Sequence, residues 1–238
     1  MSRFRTEIFD DAGQFASRAA AWIAGLIAAK NGRFRIALTG GETPRALYRE
    51  LGARFRDSVD WADVEFFWGD ERFVPPDCPH SNYRMARETL LSQIPALEKN
   101  IYPIPTGGDP DEAARAYEAT LKNAYGADRL DPARPLFDLV LLGLGDDGHI
   151  CSLLPGSPAL EERQRWAVAV TQGRPETRVT LTYPPIQSSR VTAFLVVGRE
   201  KAEAVHAVRS GDSALPGGRL QPEGELVWLL DRAAAGLI

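Results

Sequence analysis

Cysteine is nearly absent: there are two in 238 residues, Cys78 and Cys151. They lie far apart and outside any C-x-x-C pattern, which argues against a disulfide framework or a thiolate zinc site. Basic charge is in short supply as well, since 28 Lys and Arg against 32 Asp and Glu leave a net charge of −4. Without a basic field there is nothing to hold a nucleic acid backbone, so DNA and RNA are not expected partners. Long apolar runs are also missing. The longest, Ala19 to Ala29, is interrupted by Gly25 and ends at Lys30, too short to span a bilayer. The opening text, Met1-Ser2-Arg3-Phe4-Arg5-Thr6-Glu7, places an acid where the apolar core of a secretory leader should begin. The expected setting is therefore a reducing cytoplasm, away from membranes.

What is present has globular proportions, 44% hydrophobic and 25% charged residues, and the length predicts one large domain or two small ones. No internal repeat or linker divides the chain, so residues 1–238 are read as one domain. Periodicity alternates between helix and strand. Asp11 to Lys30 carries an amphipathic stripe (Phe15, Ala19, Trp22, Ile23, Leu26, Ile27), and further helices are expected over Pro44–Phe55, Ser81–Ile94, Asp111–Tyr125 and Arg199–Arg209. Strands are expected at Arg35–Thr39, Val64–Trp68, Phe137–Gly143, Trp166–Thr171, Arg178–Thr182, Val191–Val197 and Leu226–Leu230, with Asp70–His80 as a long loop. A Gly/Pro-rich turn, Leu215 to Gly218, follows the last of these long helices, and an Ala-rich helix closes the chain. Such alternation predicts an α/β fold, a doubly wound and mainly parallel sheet with helices on both faces.

In an open parallel sheet, ligands collect beyond the carboxyl ends of the strands, and three strands here run into unusual polar text at that end. The first is Thr39-Gly40-Gly41-Glu42-Thr43-Pro44. Its glycines allow close backbone approach, Thr43 is a plausible N-cap, and the amides of the following helix suit a phosphate. A tight turn needing glycine only for geometry would read the same way. The second is Gly69-Asp70-Glu71-Arg72, where Arg72 suits a bidentate anion, although a solvated loop with a local ion pair also fits. The third is Gly143-Leu144-Gly145-Asp146-Asp147-Gly148-His149, which ends in one of only three histidines. Imidazole is the natural general base at neutral pH, and a carboxylate two residues earlier, Asp147, can fix its tautomer. His80 and His206 carry no such context. No His/Cys/Asp/Glu spacing demands a metal, no Walker A or G-x-G-x-x-G motif is present, and there is no G-x-S-x-G elbow. Neither metal nor cofactor is expected.

Together these segments resemble the 6-phosphogluconolactonase family, within the larger group that includes glucosamine-6-phosphate deaminase. The resemblance rests on the three motifs, on His80-Ser81-Asn82-Tyr83, and on Ser152-Leu153-Leu154-Pro155-Gly156. Downstream, Arg178-Val179-Thr180-Leu181-Thr182, Gly198-Arg199-Glu200-Lys201-Ala202 and the closing Trp228-Leu229-Leu230-Asp231 also fit. It covers almost the whole chain in order. It implies hydrolysis of 6-phospho-D-glucono-1,5-lactone to 6-phosphogluconate in the oxidative pentose phosphate pathway, with a phosphosugar lactone as partner. Residue by residue, it implies His149 as the base activating water. Arg72, Arg178 and Lys201 would surround the anion, Gly40, Gly41 and Thr43 would line the phosphate end, and Asp70, Ser81, Asn82 and Gly145 would complete the substrate surface. The oxyanion donor would be Arg72 or a glycine amide of the Gly143–Gly148 loop.

Two departures stand out. Ile150 and Cys151 replace the Thr-Ala usual in lactonases after the histidine, and Leu154 replaces a Phe; Ile150 is what deaminases carry there, so that position alone does not discriminate. Deaminases continue into Asn-Glu-Pro, whose glutamate serves ring opening, whereas this chain has Leu153-Leu154-Pro155 and no acid there. That favours hydrolysis. A deaminase or isomerase on the same scaffold, or a non-catalytic sugar-phosphate-binding module, are the alternatives.

Overall fold

A computed structural model describes residues 4–238; Met1, Ser2 and Arg3, part of the stretch read for a leader, lie outside the described residues. In chain order the elements are β1 (Phe4–Phe9), α1 (Ala12–Ala28), β2 (Phe34–Leu38), α2 (Glu42–Phe55), β3 (Val64–Trp68), β4 (Asp70–Arg72), α3 (Asn82–Ala86), α4 (Pro110–Tyr125) and β5 (Phe137–Leu142). There follow β6 (Ala167–Val170), β7 (Arg178–Leu181), α5 (Tyr183–Gln187), β8 (Ser189–Val196), α6 (Ala202–Arg209) and β9 (Glu225–Asp231). Six strands form one parallel sheet in the order β1-β9-β8-β5-β2-β3. Every residue of β5 and β3 is buried, as expected of interior text without alternation. From β2 the chain winds outward to β3, then returns to the other side of β2 to lay down β5, β8 and β9. The reversal between β2 and β5 is a topological switch point, and it opens a crevice at the carboxyl ends of these strands.

Beside the doubly wound sheet stands a second one, three antiparallel strands in the order β4-β7-β6. The expected loop at Asp70–His80 therefore begins as a strand, and the strands expected at Trp166–Thr171 and Arg178–Thr182 belong here, not to the main sheet. Gly69 is the junction. Its N–H donates to Leu38 C=O of β2 at 2.9 Å and its C=O accepts from Leu181 N–H of β7 at 2.8 Å, so one residue is stitched to both sheets. Strand β1 was not expected. It is an edge strand paired only with β9, more than two hundred residues away, and short exposed edges carry weak sequence signals. The closing Ala-rich segment forms turns instead of a helix.

The starts of α1 and α4 follow local chemistry. Asp11 and Asp109 cap α1 and α4 by accepting backbone N–H bonds, and Pro110 takes the first turn of α4, as sequence preferences dictate. The expected cap of α2 at Thr43 is displaced: Gly41, at φ 110°, is the cap and the helix starts at Glu42. A positive φ is accessible to glycine at no steric cost, so the turn is made two residues earlier.

Two tyrosines hold the strand ends that border the crevice. Tyr48 of α2 donates to Thr39 C=O at 3.0 Å and accepts from Thr39 N–H at 3.0 Å. Tyr117 of α4 does the same for Trp68, at 2.9 and 2.8 Å. Both phenols are fully buried, and burial pushes their ionisation far up, so each stays a neutral donor and acceptor. Removing either hydroxyl strands a buried N–H and C=O. Tyr48→Phe is expected to cost about 1–3 kcal/mol, read as a lower urea midpoint at unchanged slope, whereas a free energy equal to the parent's would show that Thr39 is held by other means.

Candidate active site

The carboxyl ends of four neighbouring strands deliver the side chains. Thr39 and Gly40 follow β2, Asp70 and Arg72 follow β3, Gly143, Leu144, Gly145 and His149 follow β5, and Lys201 lies one turn beyond β8. They converge on a cleft of about 190 Å³, which Asn82, Cys151 and Arg178 also line. An adjoining cavity of about 270 Å³ is lined by Gly41, Glu42, Thr43 and Glu200 and shares Gly40, Gly143, Leu144 and Lys201 with the first. Gly41 and Thr43 thus face this second compartment, not the one holding His149. Ser81 lines neither. It is buried as the cap of α3, donating to Glu71 at 3.0 Å and accepting from Arg84 N–H at 3.1 Å, so its expected place on the substrate surface is corrected to a structural one.

The histidine loop is built so that the ring lies on bare backbone. A Cβ at Gly145 would sit 1.9 Å from His149 Nδ1 and 2.6 Å from Asp147 Oδ1, so no larger residue fits beneath the pair. Gly148, at φ 74°, makes the turn. The loop is closed by Gly145 N–H to His149 C=O at 3.0 Å and Gly148 N–H to Gly145 C=O at 2.9 Å. The Leu215–Gly218 turn clamps it from outside, through Gly217 N–H to Gly148 C=O at 2.9 Å. His149 Nδ1 lies 2.5 Å from Asp147 Oδ1. With Nδ1–H donating to the carboxylate, Nε2 is the ring's free basic nitrogen. Burial raises the Asp147 carboxyl, but hydrogen bonds and charge from His149, with Arg174 adding to them, outweigh it and hold the group below its ordinary value.

Cations crowd the opposite wall. Arg72 and Arg178 stand directly across from one another on β4 and β7, a like-charge pairing that costs energy by itself. Both have an Nε buried without a partner among the described residues. Arg72 spends one arm on His80 C=O at 2.6 Å. Arg178, 13% exposed, has only loose pairs, 3.8 Å to Asp70 and 3.6 Å to Glu176. Burial draws its guanidinium below the usual value; Arg72 and Arg174 act the same way, and Asp70 and Glu176 oppose them. A guanidinium nevertheless remains charged at neutral pH. Lys201 pairs with exposed Asp146 at 2.6 Å. An anion entering the cleft would relieve the repulsion between these cations.

The acids divide by task. Asp70 lies at the cleft, held by Ser152 Oγ at 2.6 Å, and its carbonyl accepts from the amide of Asn82 at 3.0 Å. Gly40 lets that amide in, since a Cβ there would fall 1.9 Å from Asn82 Oδ1. Glu71 faces away. It accepts the backbone N–H groups of Arg72, Asn82 and Tyr83, each at 2.7 Å, and anchors the start of α3. Burial pushes its carboxyl up against the pull of those bonds.

Sequence reading missed Arg174, whose Nη2 lies 3.0 Å from Asp147 Oδ2. A single arginine in a polar loop gave no signal. It also left out Cys151, a cleft residue in the left-handed region at φ 49° whose buried thiol is pushed well up by desolvation, with Asp70 contributing. Its Sγ fills the space beside Gly69, 2.8 Å from where a Cβ would stand.

The fold and cleft define a doubly wound α/β protein with a histidine–aspartate pair facing a cationic wall at the switch point. A family model described as glucosamine-6-phosphate isomerases/6-phosphogluconolactonase matches residues 10–228, and the chain belongs to that family. A 6-phosphogluconolactonase of Synechocystis is 43% identical over 87% of this chain and 85% of its own. One from Mycobacterium tuberculosis is 41% identical over 96% of each. Among solved structures, a 6-phosphogluconolactonase from Trypanosoma cruzi superposes with a TM-score of 0.85 at 30% identity, covering 98% of this chain and 96% of that one.

Gly145→Ala is expected to break the His149–Asp147 contact, since the ring has nowhere to retreat except into the cleft. The low-field imidazole N–H resonance of the parent should vanish in the variant while the unfolding midpoint moves little; its persistence would show that the loop adapts.

Proposed function

We propose that the chain hydrolyses 6-phospho-D-glucono-1,5-lactone to 6-phospho-D-gluconate, as one domain spanning residues 1–238 and acting in the cytoplasm, with no cofactor. The observation carrying this reading is that His149, tied back to Asp147, shares one cleft with Arg72, Arg178 and Lys201. The family membership and the names of the relatives supply the substrate. Among the described residues no helix is long and apolar enough to cross a membrane, in keeping with a small polar substrate.

In this mechanism the phosphate is taken by Lys201 and the backbone of Gly40–Thr43 at the start of α2, where free amides favour an anion. Remote binding of this kind positions the carbonyl for attack. Water gives a proton to His149 Nε2 as its oxygen bonds to C1. The tetrahedral intermediate collapses by breaking the bond to the ring oxygen, which takes the same proton back from the imidazolium. The oxyanion is assigned to Arg72, with the amide of Gly143 as the other donor, since those of Gly145 and Gly148 are already spent inside the loop; an arginine there stabilises the developing charge. Asp70 and Asn82 bind sugar hydroxyls. A deaminase would need an acid at the Leu153–Leu154 position, and both residues there are buried and apolar.

Measured against the uncatalysed background, His149→Ala is expected to lose roughly 10²–10⁴-fold in kcat while still binding 6-phosphogluconate. Full turnover in that variant, or ammonia release from glucosamine 6-phosphate by the parent, would overturn the reading. Lys201→Met should act differently, raising KM about 10–100-fold, the worth of a charged hydrogen bond to phosphate; a fall in kcat at unchanged KM would move the phosphate elsewhere.

A further inference from the structure

The loop between β6 and β7 brings one more cation to the rear of the imidazole. Arg174 Nη2 lies 3.0 Å from Asp147 Oδ2 and 3.0 Å from His149 Nδ1. The loop is fastened at its far end: Glu176 meets His80 at 2.9 Å and Arg178 at 3.6 Å, and Thr177 C=O accepts from Phe73 N–H at 2.8 Å. The guanidinium is half-buried against the loop that carries the base.

We propose that Arg174 is a positioning residue that shares the Asp147 carboxylate with His149 and so keeps the ring available as a neutral base. This deepens the hydrolytic reading and rests on it. An aspartate 2.5 Å from Nδ1, acting alone, favours the imidazolium, and an imidazolium cannot take a proton from water. Asp147 instead has one oxygen for each of two donors, Oδ1 for the ring and Oδ2 for Arg174. The contact between Nη2 and Nδ1 then joins two donors, so it is a repulsion tolerated because both bond the same carboxylate. It opposes charge on the ring. When Nε2 takes the proton from water, the neighbouring guanidinium makes the new imidazolium a better acid, which favours return of that proton to the departing ring oxygen.

The other charged groups facing the ring stand on different elements. Asp70 and Arg72 come from β4, Arg178 from β7, and Lys201, paired with Asp146, from the turn after β8. Asp70 is held by Ser152, and Cys151 is kept a neutral thiol by burial. None of these pairs with Asp147, although the Arg174 charge also bears on Arg178, so the ring titration rather than the rate alone isolates its effect on the dyad.

The test is the pH profile of kcat/KM for Arg174→Met and Arg174→Lys beside the parent. Loss of the cation should move the acid limb to higher pH by roughly half to one unit, a modest step because the pair is partly exposed. Activity above the limb should stay within several-fold of the parent. Arg174→Lys, which keeps a charge without the fork, should restore at least half of the shift. An unmoved limb with a uniform loss of rate, or a rise in KM alone, would overturn the proposal. The imidazole signals, three in all, give a readout that needs no turnover. The His149 ring should titrate at higher pH in Arg174→Met than in the parent, and identical midpoints would sink the inference. If the parent hydrolyses no lactone, the proposed function fails, while the ring titration still decides the role of Arg174.

Discussion

A parallel sheet has to end, and where its strands end their last peptide groups lose the ladder that satisfied them. At the crevice opened by the reversal of strand order, two phenol hydroxyls take over that duty. Tyr48 and Tyr117, each offering one donor and one acceptor, close the backbone of Thr39 and Trp68. An uncompensated peptide group there would draw in solvent or collapse the crevice. With both ends satisfied, the chain leaves β2 through Gly40 and leaves β3 through Gly69, which is itself bonded to β2 and β7.

Beyond these strand ends the charge balance changes. The chain as a whole is acidic, yet Arg72, Arg174, Arg178 and Lys201 gather around one imidazole. The arrangement is unfavourable in isolation, with two guanidinium Nε atoms buried and unpartnered and two arginines directly opposed across β4 and β7. The β4–β7 ladder holds the two arginines opposite one another, and Glu71 fixes the start of α3 beside them. Two compartments meet there, joined at Gly40, Gly143, Leu144 and Lys201.

Much of this was legible beforehand because it is local. The strand–glycine–polar sequences after β2, β3 and β5 announce themselves by composition, and Asp147 and His149 are two residues apart on one loop. Other features were not. Thr43 looked like a cap because hydroxyl residues usually are, but Gly41 could adopt the positive φ and took the position. Ser81 looked like a ligand residue, and the buried Glu71 claimed it. Strand β4 could not be seen because three charged residues form a strand only when β7 supplies the partner. Arg174 carried no signal, since its meaning lies in a carboxylate 27 residues earlier that a chain reversal brings alongside.

The sequence by itself determined the alternating α/β order, the glycine-opened loops at the strand ends and the pairing of the base with its neighbouring acid. Each depends on residues close enough in the chain to constrain one another through backbone geometry. The tertiary structure alone decided that Arg178 and Lys201 reach the same cleft, that Gly41 and Thr43 face a second compartment, and that Arg174 shares Asp147. Those meetings follow from the strand order β8-β5-β2-β3 and from the antiparallel sheet that departs at Gly69. Strand order is settled by long-range burial and hydrogen bonding, which no short window of sequence contains.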